Sequence, residues 1–85
     1  MQVRDLATVF KLTVVDLSKI SGYTRQGLYQ LFERKYKNHK PRFDEFLVSM
    51  ELVNQKLYEK DMAQALLEKN IRENTLNELR KEMKQ

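Results

Sequence analysis

Four polar side chains that can hydrogen-bond to the edges of nucleic-acid bases lie within six consecutive residues. An arginine guanidinium matches the two acceptors of guanine, and a glutamine amide matches the donor and acceptor of adenine. A tyrosine beside them can lie against the sugar-phosphate wall or a thymine methyl group. Leu28, Leu31 and Phe32 recur at helical spacing, which predicts that they face a core and leave the polar set exposed. The polar set consists of Arg25, Gln26, Tyr29 and Gln30.

The residues around this polar set predict two helices joined by a tight turn. Thr13 suits the N-cap of the first helix, and Gly22 lies where that helix must end, because such a turn favours a left-handed residue. Thr24 suits the N-cap of the second helix, where its hydroxyl and the first backbone amides are expected to hold a phosphate. An apolar row at helical spacing predicts a supporting helix over residues 2–11.

The two predicted helices and their turn match a known motif at the positions that set its geometry. The motif has a small residue in the first helix, glycine in the turn, a hydroxyl cap on the second helix, and apolar residues facing the core. The matching residues are Leu17, Ser18, Gly22, Thr24, Leu28 and Leu31. In these positions residues 1–35 resemble the helix-turn-helix of phage repressors, Cro proteins and their bacterial relatives. The resemblance implies a DNA-binding unit whose second motif helix enters the major groove.

Three residues of the motif call for an explanation. The family prefers an apolar residue at Ser21 and an aliphatic one at Tyr23, so different packing in the turn is expected. Gly27 lies inside a helix, where glycine costs about 1 kcal/mol relative to alanine. Either the backbone approaches the bases closely at Gly27, or the helix packs tightly on the preceding one.

Basic residues are concentrated in the half of the chain that carries the motif. Residues 1–42 hold nine Lys or Arg against three acidic residues, a net +6, whereas residues 43–85 hold seven against nine, a net −2. Such sorting is typical of a DNA contact surface, and the alternative is an ordinary solvated face. A basic connector follows the second motif helix and suits the flanking phosphates. The predicted phosphate contacts are Arg34, Lys35, Lys37 and Lys40.

The spacing of apolar residues after Pro41 predicts a long helix with an apolar seam. The spacing lapses at Lys60 and returns in a shifted register, which indicates either a stutter within one helix or a break between residues 60 and 75. Thr75 and Glu78 offer a capping box for a new helix. We expect residues 43–85 to be a helical oligomerisation or partner-binding region, separate from the DNA-binding unit over residues 1–42. The predicted oligomerisation residues are Phe46, Met50, Val53, Leu57, Leu66, Leu76 and Leu79.

Composition narrows the class of protein further. The chain has 85 residues, two glycines, one proline and no cysteine, which favours an all-α fold without disulfides or thiolate metal sites. No nucleophile-base pair, phosphate-binding glycine loop or ligand cluster is present, and His39 is the only histidine, so we expect no enzyme, metal or cofactor. No apolar run is long enough to span a membrane, and no secretion leader is visible, which favours a cytoplasmic location.

Two functions fit these observations. The first is a sequence-specific double-stranded DNA-binding protein, a small transcriptional regulator of phage, plasmid or bacterial origin. Because 85 residues give only a marginal core, we expect a homodimer or higher homo-oligomer. The alternative is a protein-interaction module, such as an antirepressor or host-factor inhibitor, in which a helix-turn-helix scaffold binds another protein.

Overall fold

The computed structural model describes residues 1–34, 41–60 and 65–83, and this part of the chain is all-α. The predicted phosphate contacts Lys35, Lys37 and Lys40 lie outside the described residues. The helices are α1 (Val3–Val9), α2 (Val14–Ser21), α3 (Arg25–Glu33), α4 (Pro41–Lys60) and α5 (Ala65–Met83).

The helices α2 and α3 begin at threonines whose hydroxyls accept hydrogen bonds from the first backbone amides of each helix. Thr13 and Asp16 form a capping box at α2, in which the Thr13 amide donates to the Asp16 carboxylate and the Asp16 amide donates to the Thr13 hydroxyl. Gly22 ends α2 with φ 77°, as its position in the turn predicted. Thr24 caps α3 by accepting a 2.9 Å hydrogen bond from the amide of Gly27. The first helix is shorter than predicted, because Lys11 adopts a left-handed φ of 56° just after it.

The last two helices form an antiparallel hairpin within one chain. Arg80 near the end of α5 pairs with Glu51 in the middle of α4 at 2.6 Å. Asn54, further along α4, reaches back to the carbonyl of Lys69, nearer the start of α5. In addition to α4, α5 packs on α1, while α4 packs on α2. The apolar seam predicted to join two chains is therefore largely used inside one.

Most of the residues predicted to contact a second copy are buried or partly buried within the chain itself. Phe46, Met50, Leu76 and Leu79 are at most 1% exposed and belong to the chain's own core, so they cannot contact a second copy while this fold is kept. Val53 and Leu57 pack partly buried against the same core. Leu66 is the exception among the seven residues, with 62% of its surface exposed.

One hydrophobic core unites the described helices. Its buried members come from every one of them, including Leu6 of α1, Leu17 of α2, Leu28 of α3, Phe43 of α4 and Leu79 of α5. The boundary expected after residue 42 is therefore not a boundary between two cores. In the hairpin, α4 instead packs on α2 and α5 on α1, and both α1 and α2 in turn contact α3.

The capping box predicted at Thr75 does not form. Thr75 lies inside α5, and its hydroxyl donates 2.9 Å to the carbonyl of Ile71 instead of capping a new helix. Arg72 and Leu76 on either side of it are both buried, so the helix must continue through this point to keep them in place. α4 ends at Lys60 and α5 begins at Ala65, at the start of the range 60–75 in which a break was one of two possibilities.

A buried polar pair fixes the register of the hairpin. Arg72 is 4% exposed and Asn54 2% exposed, and the Arg72 Nε donates to the Asn54 Oδ1 at 2.5 Å. The Asn54 Nδ2 in turn donates 3.2 Å to the carbonyl of Lys69, and Glu68 lies 3.8 Å from the Arg72 guanidinium. A sliding of α5 along α4 would leave these groups buried without partners, which costs about 1–3 kcal/mol for each neutral group and more for a charge.

Candidate nucleic-acid interface

The outer face of α3 carries the polar set that its spacing predicted. Arg25, Gln26 and Gln30 are exposed, and none of these three side chains has a hydrogen-bond or ion-pair partner within the described ranges. Leu28 is fully buried and Phe32 is 6% exposed on the opposite face, where they hold α3 against the core. The helix therefore presents uncommitted donors and acceptors to solvent from a rigid support.

The start of α2 and the start of α3 meet at one open depression on this face. We call it the α2/α3 depression. The N-terminus of each helix carries a partial positive charge of about half a unit, so the two ends together favour an anion there. The lining residues are Thr13, Val14, Val15, Thr24, Arg25, Gln26, Tyr29, Gln30 and Glu33.

The carboxylates near this depression oppose an anion. Asp16 belongs to the capping box of α2, and the hydrogen bonds it accepts from the Thr13 backbone and hydroxyl lower its pKa, so it is charged at neutral pH. Glu33 lies at the end of α3 and lines the depression directly. Arg25 is the basic residue among the lining residues, and Arg34 is exposed just beyond the end of α3.

Gly27 is explained by the cap of its own helix. A Cβ added to it would lie 3.0 Å from the Thr24 Oγ1 and 3.9 Å from atoms of Tyr23, and Gly27 is not among the residues that line the α2/α3 depression. The same Thr24 oxygen accepts the Gly27 amide at 2.9 Å. Neither of the two explanations considered from the sequence, approach to bases or packing on α2, describes this contact.

The two departures from the family pattern are accommodated inside the turn. Ser21 is buried, and its hydroxyl donates to the Ser18 carbonyl and accepts the Tyr23 amide at 3.1 Å. The Ser18 hydroxyl donates 2.6 Å to the Tyr23 carbonyl. Hydroxyl hydrogen bonds of Ser18 and Ser21 thus hold the turn.

Arg42 of α4 braces this turn, a role that sequence reasoning missed. Its guanidinium lies 4.5 Å from the centre of the Tyr23 ring and donates 3.3 Å to the Gly22 carbonyl. The Tyr23 ring also meets Phe43 edge to face, with ring centres 6.4 Å apart. The larger ring at Tyr23 therefore connects the turn to the first turn of α4.

Arg4 of α1 is a second residue that sequence reasoning left without a role. Its Nε donates 3.3 Å to the Tyr29 hydroxyl, and its guanidinium lies 5.8 Å from the centre of the Tyr29 ring. The hydroxyl contact raises the pKa of Arg4, so the side chain keeps its charge at every physiological pH. Only the exposed position of Arg4 on α1 was visible in the sequence, since nothing in the spacing joins residues 25 positions apart.

Comparison with known protein-family models, curated proteins and solved structures gives no match. Among the residues that the structure describes, no cluster of three or more metal-ligating side chains could hold a metal ion. No helix in the same part of the chain combines the length and apolar character needed to cross a membrane.

Proposed function

We propose that this protein binds double-stranded DNA sequence-specifically by placing the outer face of α3 in the major groove, as a small transcriptional regulator of phage, plasmid or bacterial origin. The observation that carries the proposal is the unpartnered row of Arg25, Gln26 and Gln30 beside two converging helix N-termini. An α-helix with its side chains is about 10–12 Å across, which fits the width of about 12 Å of the major groove.

Each residue of the α3 face has a role in this proposal. Arg25 reads a guanine through its two acceptors, and Gln26 and Gln30 read adenines. Thr24 and the first amides of α3 hold a phosphate at the groove edge, where the two helix dipoles add to the attraction. Tyr29 contacts the wall of the groove. A cytoplasmic location follows from a DNA target of this kind.

The basic residues around α3 supply affinity without sequence preference. Arg34 is exposed at the end of the helix, and Lys35, Lys37 and Lys40 follow it in the chain. Each phosphate that they neutralise adds about 0.9 to the slope of log affinity against log salt concentration. Replacing Lys37 is therefore expected to weaken binding to all duplexes alike.

The test is selection of bound duplexes from a random pool at near-physiological salt, followed by affinity measurements on the selected sequence. Arg25→Ala is expected to cost about 1–3 kcal/mol and to relax the preference at one base pair. The matched control is Lys56→Ala, which removes one charge from an exposed position of α4 outside the α2/α3 depression. A pool without any preferred sequence, or equal effects of the two substitutions, would contradict the proposal.

A homodimer remains part of the proposal, but the contact surface differs from the predicted seam. The first half of α5 exposes Leu67 by 71% and Ile71 by 47%, one helical turn apart, with the uncharged Asn70 and Asn74 beside them. Two copies can bring such a row together about a twofold axis without placing like charges opposite each other. Leu67→Gln is expected to make the protein monomeric in analytical ultracentrifugation, and an unchanged sedimentation coefficient would contradict this contact.

The second candidate function, a protein-interaction module, is favoured by other exposed apolar residues. Val48 and Leu52 lie one turn apart on the side of α4 opposite its buried row, at 55% and 60% exposure. A partner protein of complementary shape could cover them. If the protein binds DNA as proposed, replacing both Val48 and Leu52 with glutamine leaves DNA binding intact. If it is a protein-interaction module, Arg25→Ala leaves binding of the partner protein intact.

A further inference from the structure

Arg4 and Tyr29 form an exposed contact between α1 and the outer face of α3. The Arg4 Nε donates 3.3 Å to the Tyr29 hydroxyl, and the guanidinium is 5.8 Å from the ring centre. Arg4 has no other hydrogen-bond or ion-pair partner in the described part of the chain. The two terminal guanidinium nitrogens therefore keep four N–H donors for another ligand, and the Tyr29 hydroxyl keeps its own proton to donate.

Tyr29 lines two depressions of the surface, as does Glu33. One is the α2/α3 depression, and the other, lined by Gln2, Val3, Phe32 and Glu33 together with Tyr29, lies on the α1 side. Through its contact with Tyr29, Arg4 therefore adds a charged side chain of α1 to the α3 face. Arg4 also places a cation beside Tyr29, which lines both depressions together with the carboxylate of Glu33.

We propose that Arg4 and Tyr29 together bind one backbone phosphate of duplex DNA at the edge of the α3 face, an inference that rests on the proposed function. The terminal nitrogens of Arg4 form charge-assisted hydrogen bonds to the phosphate oxygens, and the Tyr29 hydroxyl donates a further one. This assigns Tyr29 to the sugar-phosphate wall and not to a thymine methyl group. The pair positions the protein on the duplex and carries no base preference of its own.

The existing contact lowers the cost of binding the phosphate. A free arginine side chain loses conformational entropy when an interface immobilises it. Tyr29 already restricts Arg4 from two directions, through the hydrogen bond to Nε and the ring face beside the guanidinium. Removing the Tyr29 hydroxyl therefore weakens the phosphate contact of Arg4 as well as its own.

The experiment is a double-mutant cycle of Arg4→Gln and Tyr29→Phe in the full chain. Binding is measured by fluorescence anisotropy at several salt concentrations, on the selected duplex and on a scrambled duplex of equal length. Arg4→Gln is expected to weaken binding about tenfold to both duplexes and to lower the salt slope by about 0.9. Tyr29→Phe is expected to weaken binding severalfold in the parent and much less in the Arg4→Gln background.

The matched control is Lys11→Gln. It removes one positive charge, as Arg4→Gln does, but from a side chain just after α1 that is paired with Glu68 of α5. If Arg4→Gln has only the effect of Lys11→Gln, or if the two members of the cycle act additively, the phosphate pair is refuted. The DNA proposal survives that result so long as Arg25→Ala still relaxes base preference. Failure of the parent protein to bind any duplex refutes both, and circular dichroism checks that each variant is folded.

Discussion

The contact between Gly27 and the cap of α3 allows a quantitative test of why this helix begins where it does. Thr24 Oγ1 accepts the Gly27 amide at 2.9 Å, while an alanine Cβ at position 27 would lie only 3.0 Å from the same oxygen. Few real Cβ contacts are that short, so the Thr24 hydroxyl must move when alanine replaces glycine. The cap and the better helix former therefore compete for the same space.

The free-energy contributions of the Thr24 cap and of the helix propensity at position 27 can both be estimated. Thr24→Ala removes the cap and is expected to lower the free energy of unfolding by about 1 kcal/mol. Gly27→Ala gains about 1 kcal/mol in helix propensity, and in the presence of Thr24 it loses about the same amount by weakening the cap. The single Gly27→Ala variant should thus be close to neutral. In the Thr24→Ala background the same change meets no hydroxyl and should stabilise by about 1 kcal/mol.

The assay is urea denaturation of the parent, both single variants and the double variant, with thermal melts as a second measurement. Thr24→Ala should melt about 4–8 °C below the parent, and the other two variants should melt close to it. The interaction free energy from the cycle is expected to be about 1 kcal/mol. If Gly27→Ala stabilises equally in both backgrounds, the short contact does not constrain the cap, and glycine at this position needs another explanation.

Three further predictions test the electrostatics and the hairpin. Glu33→Gln should strengthen binding to selected and scrambled duplexes alike, since it removes a carboxylate from the α2/α3 depression; weaker binding would assign Glu33 a direct contact with a base. Asp16→Ala should lower the melting temperature relative to the parent at pH values above about 4. Because the pKa of Asp16 is lowered in the folded protein, this difference should shrink as the pH falls below about 4 and be lost once the pH passes the lowered pKa; a constant difference at every pH would contradict the capping box. Asn54→Leu should cost about 2 kcal/mol by removing the buried acceptor of Arg72, and adding Arg72→Met should recover most of it in urea denaturation; a further loss in the double variant would contradict a register role for the pair.

The local part of the fold was predictable because its causes lie within a few residues of each other. Thr13, Gly22 and Thr24 act on backbone groups at most four positions away, so their roles follow from residue type and order. The outward orientation of α3 follows equally from the spacing of its buried residues. Prediction of these features needed no knowledge of how the remaining helices pack.

The partner of an apolar face was not predictable in this way. The spacing of Phe46 and Met50 requires a facing helix, but a helix of the same chain and a helix of a second copy satisfy it equally. The choice depends on whether the chain can reverse between α4 and α5. The missed contacts of Arg4 and Arg42 have a similar cause, because each joins residues at least 19 positions apart whose proximity depends on the packing of whole helices.

The chain contains two threonine capping sequences, and a comparison of them shows when such a sequence starts a helix. Thr13 and Thr75 are both followed three residues later by an acidic residue, yet only Thr13 caps a helix. The backbone before Thr13 leaves the helical conformation at Lys11, whose φ is 56°, so the first amides of α2 are open to the cap. Before Thr75, the buried Arg72 must stay in helical register with Leu76, so the amides around Thr75 are already hydrogen-bonded within α5. A capping sequence therefore predicts a helix start only where burial does not hold the preceding turn in the helix.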